Sequence, residues 1–316
     1  MLFHTSVFGA PAVAPSHDVV EWSSERKRLR EADVVVVHVP SWRMGRRIQR
    51  YPGQVWVAWS QESRVHYPAL GDPTFMRHFD LRMTYETEAD VWVPYLPGLA
   101  EWRRIAEAPV AVQRETAPVA AFVSGAADGS GRTDFLREMA RYVPIDFYGR
   151  LFNNRQLAED RGLESKLAAV ARYPFCIAFE NSISADYVTE KVFDALRAGS
   201  VPVYLGAPNV KAFVPEGSII DAADFGGARE VGAYLRYLAA HPAEVARYHA
   251  WRERPLPQGL MVRAASVERE AFVRLADLCA ERRGRAPTRR ELGVVRRVAD
   301  EIAAAVRGWG RRAPGP

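Results

Sequence analysis

Two cysteines, Cys176 and Cys279, are all that 316 residues contain, too few for a disulfide framework. Cys176 lies in an apolar run and is expected to be a small core residue. No run approaches the roughly 18 apolar residues that span a bilayer. Residues 1–18 carry no Lys or Arg before their weakly apolar part and are interrupted by Pro11 and Pro15, which argues against a leader or an anchor. A soluble, cytoplasmic protein is the expectation. G-x-G-x-x-G and G-x-x-x-x-G-K-[ST] are both absent, so neither a dinucleotide fingerprint nor a P-loop is supported. D-x-D is absent too, leaving the usual metal–diphosphate clamp without a candidate. No metal or other cofactor is expected. Repeats and low-complexity tracts are also lacking.

The formal charge is +5 and the pI about 9.3. Residues 281–316 hold 10 Arg against 4 acids, or +6, which leaves −1 for everything before them. Basicity therefore belongs to the tail. A nucleic-acid partner is not expected: its only support is this tail and the Arg-rich stretch 42–50, neither of which carries interleaved aromatics in a recognisable motif. Thr288-Arg-Arg-Glu291 fits a capping box. Leu292, Val295, Val298, Ile302, Ala305 and Trp309 then form one apolar stripe, the pattern of an amphipathic helix over 288–309. Packing back on its own protein is the first expectation. Peripheral attachment to an anionic membrane surface, on the inner face of a membrane, is the second.

Apolar runs at 32–39, 54–59, 81–85 and 90–94 read as strands, with an Arg-rich helix over 42–51. Before residue 32 there is at best one weak strand, 2–7. Residues 102–118 lose the rhythm and read as a connector. A second alternation follows: strands at 118–124, 145–149, 175–179, 201–205 and 218–220, helices at 133–142, 166–172, 189–198 and through 234–240. Alternating strands and helices predict an α/β fold with largely parallel sheets. The expected units are 1–115, 116–280 and the tail 281–316.

One stretch concentrates polar chemistry. Phe179-Glu-Asn-Ser-Ile-Ser-Ala-Asp-Tyr-Val-Thr-Glu-Lys191 runs from the carboxyl end of an expected buried strand into a helix. In an open parallel sheet, ligands sit at such strand ends. Thr189 is a suitable N-cap and Gly199 a suitable stop. The first helical turn offers N–H groups and a partial positive charge, and Lys191 adds a full one, which together make an anion site. The loop contains no glycine. Contacts would come from Asn181, Ser182 and Tyr187 as hydrogen bonders, and from Glu180 and Glu190 as acceptors or charge stabilisers.

Arg172-Tyr-Pro-Phe175, Ala178-Phe-Glu-Asn-Ser182, Asp186-Tyr-Val-Thr-Glu-Lys191, Ala195-Leu-Arg-Ala-Gly199 and Asp224-Phe225 resemble the donor-binding segment of the α1,3/α1,4-fucosyltransferases. Val123-Ser124, Arg132-x-x-Phe135 and Asp146-x-Tyr-Gly-Arg150 resemble the entry to that family's nucleotide domain. Trp59-Ser-Gln-Glu-Ser63, Phe79 to Tyr85 and Asp90 to Tyr95 resemble its acceptor half. The resemblance implies GT-B architecture, two Rossmann-like domains facing a cleft. It implies transfer of fucose from GDP-fucose, with inversion, to O3 of an N-acetylglucosamine or glucose unit of an oligosaccharide or lipid-linked glycan. By matched position, Glu62 resembles the general base, Arg132 and Lys191 the pyrophosphate ligands, and Tyr187 and Glu190 residues on the nucleotide-sugar. Another GDP-sugar, such as GDP-mannose, is the second reading. Arg64 stands where many members have Pro, and Ser184-Ala185 where animal members have His-Pro. The first departure bears on the assignment of Glu62 as base, and the second leaves acceptor preference open.

Overall fold

The computed structural model of the protein describes residues 1–4, 20–42 and 49–282. The expected helix at 288–309 and most of the Arg-rich helix at 42–51 lie outside them. The chain divides into two units: Met1–Pro94 with the chain from Arg269 onward, and Tyr95–Glu268. This differs from the expected breaks at 115 and 280.

In the first unit, strands β1 (Leu2–Phe3), β2 (Val34–His38), β3 (Val55–Ser60), β4 (Leu81–Thr84) and β5 (Val91–Trp92) pair in parallel in that order. The β-branched run of β2 is buried throughout, as expected for a strand covered on both faces. Its side chains alternate. Val34 and Val36 join Phe3, Trp22 and Trp59, whereas Val35 and Val37 join Trp56. A short helix, α1 (Pro73–Met76), is capped by Asp72, whose Oδ1 accepts from Thr74 N at 2.8 Å.

The second unit contains α2 (Leu99–Glu107), β6 (Val119–Ala121), α3 (Arg132–Met139), β7 (Ile145–Phe147), α4 (Leu163–Val170), β8 (Phe175–Phe179), α5 (Glu190–Arg197), β9 (Val201–Leu205), β10 (Ile220–Asp221), α6 (Ala228–Ala240), α7 (Pro242–Ala246) and α8 (Gln258–Ser266). Its parallel sheet runs β10-β9-β8-β6-β7. The chain steps outward from β6 to β7, then returns past β6 to β8 and continues the other way. The order therefore reverses between β6 and β8, a topological switch point where loops leave adjacent strand ends in opposite directions.

Part of the expected connector is a helix. α2 buries Trp102 and Ile105, and Trp102 meets Phe193 and Trp251 edge-on at 6.0 and 6.1 Å. Arg252 gathers its last carbonyls, donating to Ile105 O at 2.6 Å and Ala108 O at 2.9 Å. At nine residues α2 is too short to be stable alone, and it owes its stability to these tertiary contacts.

The final described helix, α9 (Ala271–Arg282), returns to the first unit. Phe272, Leu275 and Cys279 complete the core around Phe3, Trp22 and Trp59. The Phe272 ring meets Trp59 and Trp22 edge-on at 5.2 and 5.6 Å. This burial explains why the expected break at 280 falls inside a packed helix. Phe272→Ala is expected to destabilise the first unit by about 3–5 kcal/mol. Urea unfolding would check this, and a loss below about 1 kcal/mol would contradict the packing role of α9.

Candidate active site

The loop from Glu180 to Thr189 joins β8 to α5 at the switch point. Many of its residues are buried: Glu180 and Ser182 fully, and Ser184, Tyr187, Val188 and Thr189 nearly so. Glu180 N donates to Leu205 O at 2.7 Å, extending the pairing of β8 with β9. Asp186 takes a left-handed conformation, φ 65°, which Asp tolerates better than most residues. Asn209 holds it there. Asp186 N donates to Asn209 Oδ1 at 2.9 Å, and Asn209 Nδ2 donates back to Asp186 Oδ1 at 2.8 Å.

Thr189 occupies the N-cap of α5 as expected, but its side chain does not cap the helix. Its backbone N and Oγ1 instead donate to the two carboxylate oxygens of Glu180, each at 2.8 Å. Lys191 Nζ donates to Glu180 Oε2 at 3.0 Å, Thr189 Oγ1 at 2.7 Å and Glu190 Oε1 at 3.3 Å. Burial pushes the Glu180 carboxyl up, against the pull of Lys191. Burial also disfavours the Lys191 ammonium, but Glu180 and Glu190 outweigh it and raise its pKa. Glu190 is partly withdrawn from water, yet Lys191 and Lys166 bring its carboxyl down to about 2. Lys166 is itself fixed by Asp194 Oδ2 at 2.8 Å.

Arg132, the first residue of α3, comes close to Glu180, Tyr187 and Glu190 from the turn that follows β6. Gly131, at φ 73°, makes the turn into α3, a conformation suited to glycine. Asp128 caps the helix, accepting from Arg132 N at 2.9 Å and Thr133 N at 3.0 Å. The buried Arg132 guanidinium donates to the carbonyls of Phe179, Gly125 and Ala127 at 3.4, 3.0 and 3.2 Å. Its Nε has no partner among the described residues. Gly129 N donates to Asn181 O, and Ser130 Oγ to Glu180 O, both at 2.7 Å. These bonds fasten the two loops together. Burial lowers the Arg132 pKa against the opposing pull of Asp128, Glu180, Tyr187 and Glu190. Ser182 Oγ is buried and without a partner among the described residues.

Arg132, Glu180, Asn181, Ser182, Tyr187, Glu190 and Lys191 thus gather on two bonded loops of the second unit and the first turns of the helices that follow them. Glu180 supports the site from beneath. Asp128, Ser130, Asn209 and Gly206 escaped sequence reasoning. A Cβ at Gly206 would lie 2.6 Å from Glu180 Cγ and 2.4 Å from Tyr204 Oη, so only glycine fits beside this carboxylate. Glu62 belongs to the first unit, just past the carboxyl end of β3. Its backbone N donates to Ser60 Oγ at 3.0 Å. Burial and the neighbouring Glu62 carboxylate raise the Tyr67 pKa.

Residues 112–297 match the family described as glycosyltransferase family 10 (fucosyltransferase), C-terminal part. Residues 15–96 match the fucosyltransferase N-terminal family. The chain belongs to glycosyltransferase family 10. Relatives include the human 4-galactosyl-N-acetylglucosaminide 3-alpha-L-fucosyltransferase, 32% identical, with 75% of this chain and 66% of that protein covered. Human alpha-(1,3)-fucosyltransferase 7 is 34% identical, with 81% of this chain and 71% of that protein covered. Human alpha-(1,3)-fucosyltransferase 4 is 34% identical, with 80% and 48% covered. The chain spans about half to two thirds of the first curated relatives it matches. The crystal structure of an alpha1,3-fucosyltransferase aligns with a TM-score of 0.51 at 18% identity, covering 74% of this chain and 72% of that one. This likeness bears on fold alone and agrees with a family 10 chain of GT-B type, built from two parallel α/β sheets.

Asp128 should be felt through this site. Burial works against its charge, but the hydroxyl and N–H of Thr133 and the N–H of Arg132 hold its carboxyl below the usual range. Asp128→Ala is expected to lower stability by about 1 kcal/mol at neutral pH, as for loss of a helix cap. Because the folded pKa is depressed, that difference should shrink as pH falls through it. Urea titrations at neutral and acidic pH check this; a pH-independent difference would contradict the capping role.

Proposed function

We propose that the protein transfers L-fucose from GDP-fucose to a hydroxyl of a glycan, O3 of an N-acetylglucosamine or glucose unit, with inversion at the fucose anomeric carbon. Family membership supports fucosyl transfer, and the names of the relatives support the 3-position. The single observation that carries the donor side is the approach of Arg132 and Lys191 to one another at the switch point.

The chemistry follows from those charges. In one displacement, the acceptor oxygen bonds to the fucose anomeric carbon as the bond to the diphosphate oxygen breaks. Negative charge collects on the departing GDP, where Arg132, Lys191 and the head of α5 stabilise it. The sugar gains positive character, and the Glu190 carboxylate, ionised far below neutral pH, is suited to lie beside it. The acceptor proton passes to Glu62, a general base that must be ionised. Tyr187, Asn181 and Ser182 would orient the nucleotide-sugar. With two cations available for the diphosphate, turnover is expected without added metal and in the presence of EDTA.

The test is to supply GDP-fucose and an N-acetyllactosamine acceptor, follow GDP release and determine the linkage in the product. Glu62→Gln is expected to lower kcat by about 100-fold or more while GDP affinity stays unchanged. A fully active variant would remove Glu62 from the base role, and transfer from GDP-mannose in preference to GDP-fucose would change the donor.

A further inference from the structure

An ammonium has three N–H bonds, and those of Lys191 serve Thr189, Glu180 and Glu190. The partners differ in how they are held. The Glu180 side chain is 0% exposed and is clamped by both the N–H and the hydroxyl of buried Thr189. Its Cγ lies so near Gly206 that a Cβ added there would come within 2.6 Å of it. Glu190 is 48% exposed and makes the longest of the three contacts. A diphosphate oxygen can bond Lys191 only by taking one of these places, and the Glu190 place alone opens to solvent.

We propose that Glu180 is a positioning residue that anchors the Lys191 ammonium, and that Glu190 holds the third N–H as an exchangeable stand-in for a diphosphate oxygen. The inference rests on the donor-site reading above. Exchange has a consequence for order: Glu190 is released from Lys191 only when the diphosphate arrives, so its carboxylate becomes available to the sugar only with donor bound. No bond to carbon or phosphorus changes in this step; one ammonium N–H passes from a carboxylate to a phosphate acceptor.

Calorimetric titration of GDP and of guanosine into the full chain separates the parts without needing turnover. Glu190→Gln removes the competing anion and is expected to bind GDP about three- to fivefold tighter, with guanosine affinity unchanged. Glu180→Gln is expected to bind GDP about tenfold more weakly, because Lys191 loses its anchor. A general field effect has the opposite sign, since deleting a buried anion beside a diphosphate strengthens binding. Tighter binding by Glu180→Gln would therefore overturn the positioning role. Unchanged or weaker binding by Glu190→Gln would overturn the exchange. Should Glu180→Gln fail to show a cooperative melt, the Glu190→Gln titration decides alone. Absence of GDP binding by the wild-type chain would fell the donor reading and this inference with it, whereas wild-type binding with unaltered variants would fell this inference only.

Discussion

A carboxylate with no exposed surface needs partners to remain charged, because the loss of hydration amounts to several kcal/mol per ion. Glu180 has them in the N–H and hydroxyl of Thr189 and the ammonium of Lys191. The rest of the site depends on this buried cluster. It sets where α5 begins, fixes a cation at the helix head, and joins the end of β8 to the turn that carries Glu190. Ser130 ties the loop after β6 to the Glu180 carbonyl, so the position of Arg132 follows from the same anchor. Removing one partner of such a cluster leaves an uncompensated buried charge, which makes the arrangement specific as well as rigid.

The strand order supplies the other constraint. The sheet reverses between β6 and β8, and the loops after these two strands meet at their carboxyl ends, the place where open parallel sheets bind ligands. Both loops contribute cations there, and both are capped by carboxylates, Asp128 on α3 and Glu180 at the head of α5. A glycine-rich phosphate loop cradles its ligand with backbone N–H groups. This family 10 chain instead presents side chains held by buried hydrogen bonds, the means by which a glycine-free turn would serve as the proposed anion site.

Much of this was legible in the residues. The runs 175–179 and 201–205 are short, wholly apolar and bounded by turn residues, and they coincide with β8 and β9. Lys191 stood out as a cation beside a strand end, and Arg132 through its match to the family's nucleotide domain. What could not be read was the partner of each. Thr189 is placed as an N-cap residue is, but its hydroxyl serves Glu180, a choice decided by tertiary proximity rather than local spacing. α2 was missed because its apolar face is completed by Phe193 and Trp251, which are distant in sequence. Residues 271–280 fall in the expected unit 116–280, yet α9 packs on the first unit, because its partners Phe3, Trp22 and Trp59 lie at the other end of the chain.

The central claim is that the cluster at the head of α5 receives the diphosphate of a guanosine nucleotide-sugar. A crystal structure of the protein with GDP tests it most directly. The account predicts phosphate oxygens within about 3 Å of Lys191 Nζ and of the Arg132 guanidinium, with Glu180 still bonded to Thr189. GDP bound elsewhere, or Lys191 turned away from its phosphates, would contradict it.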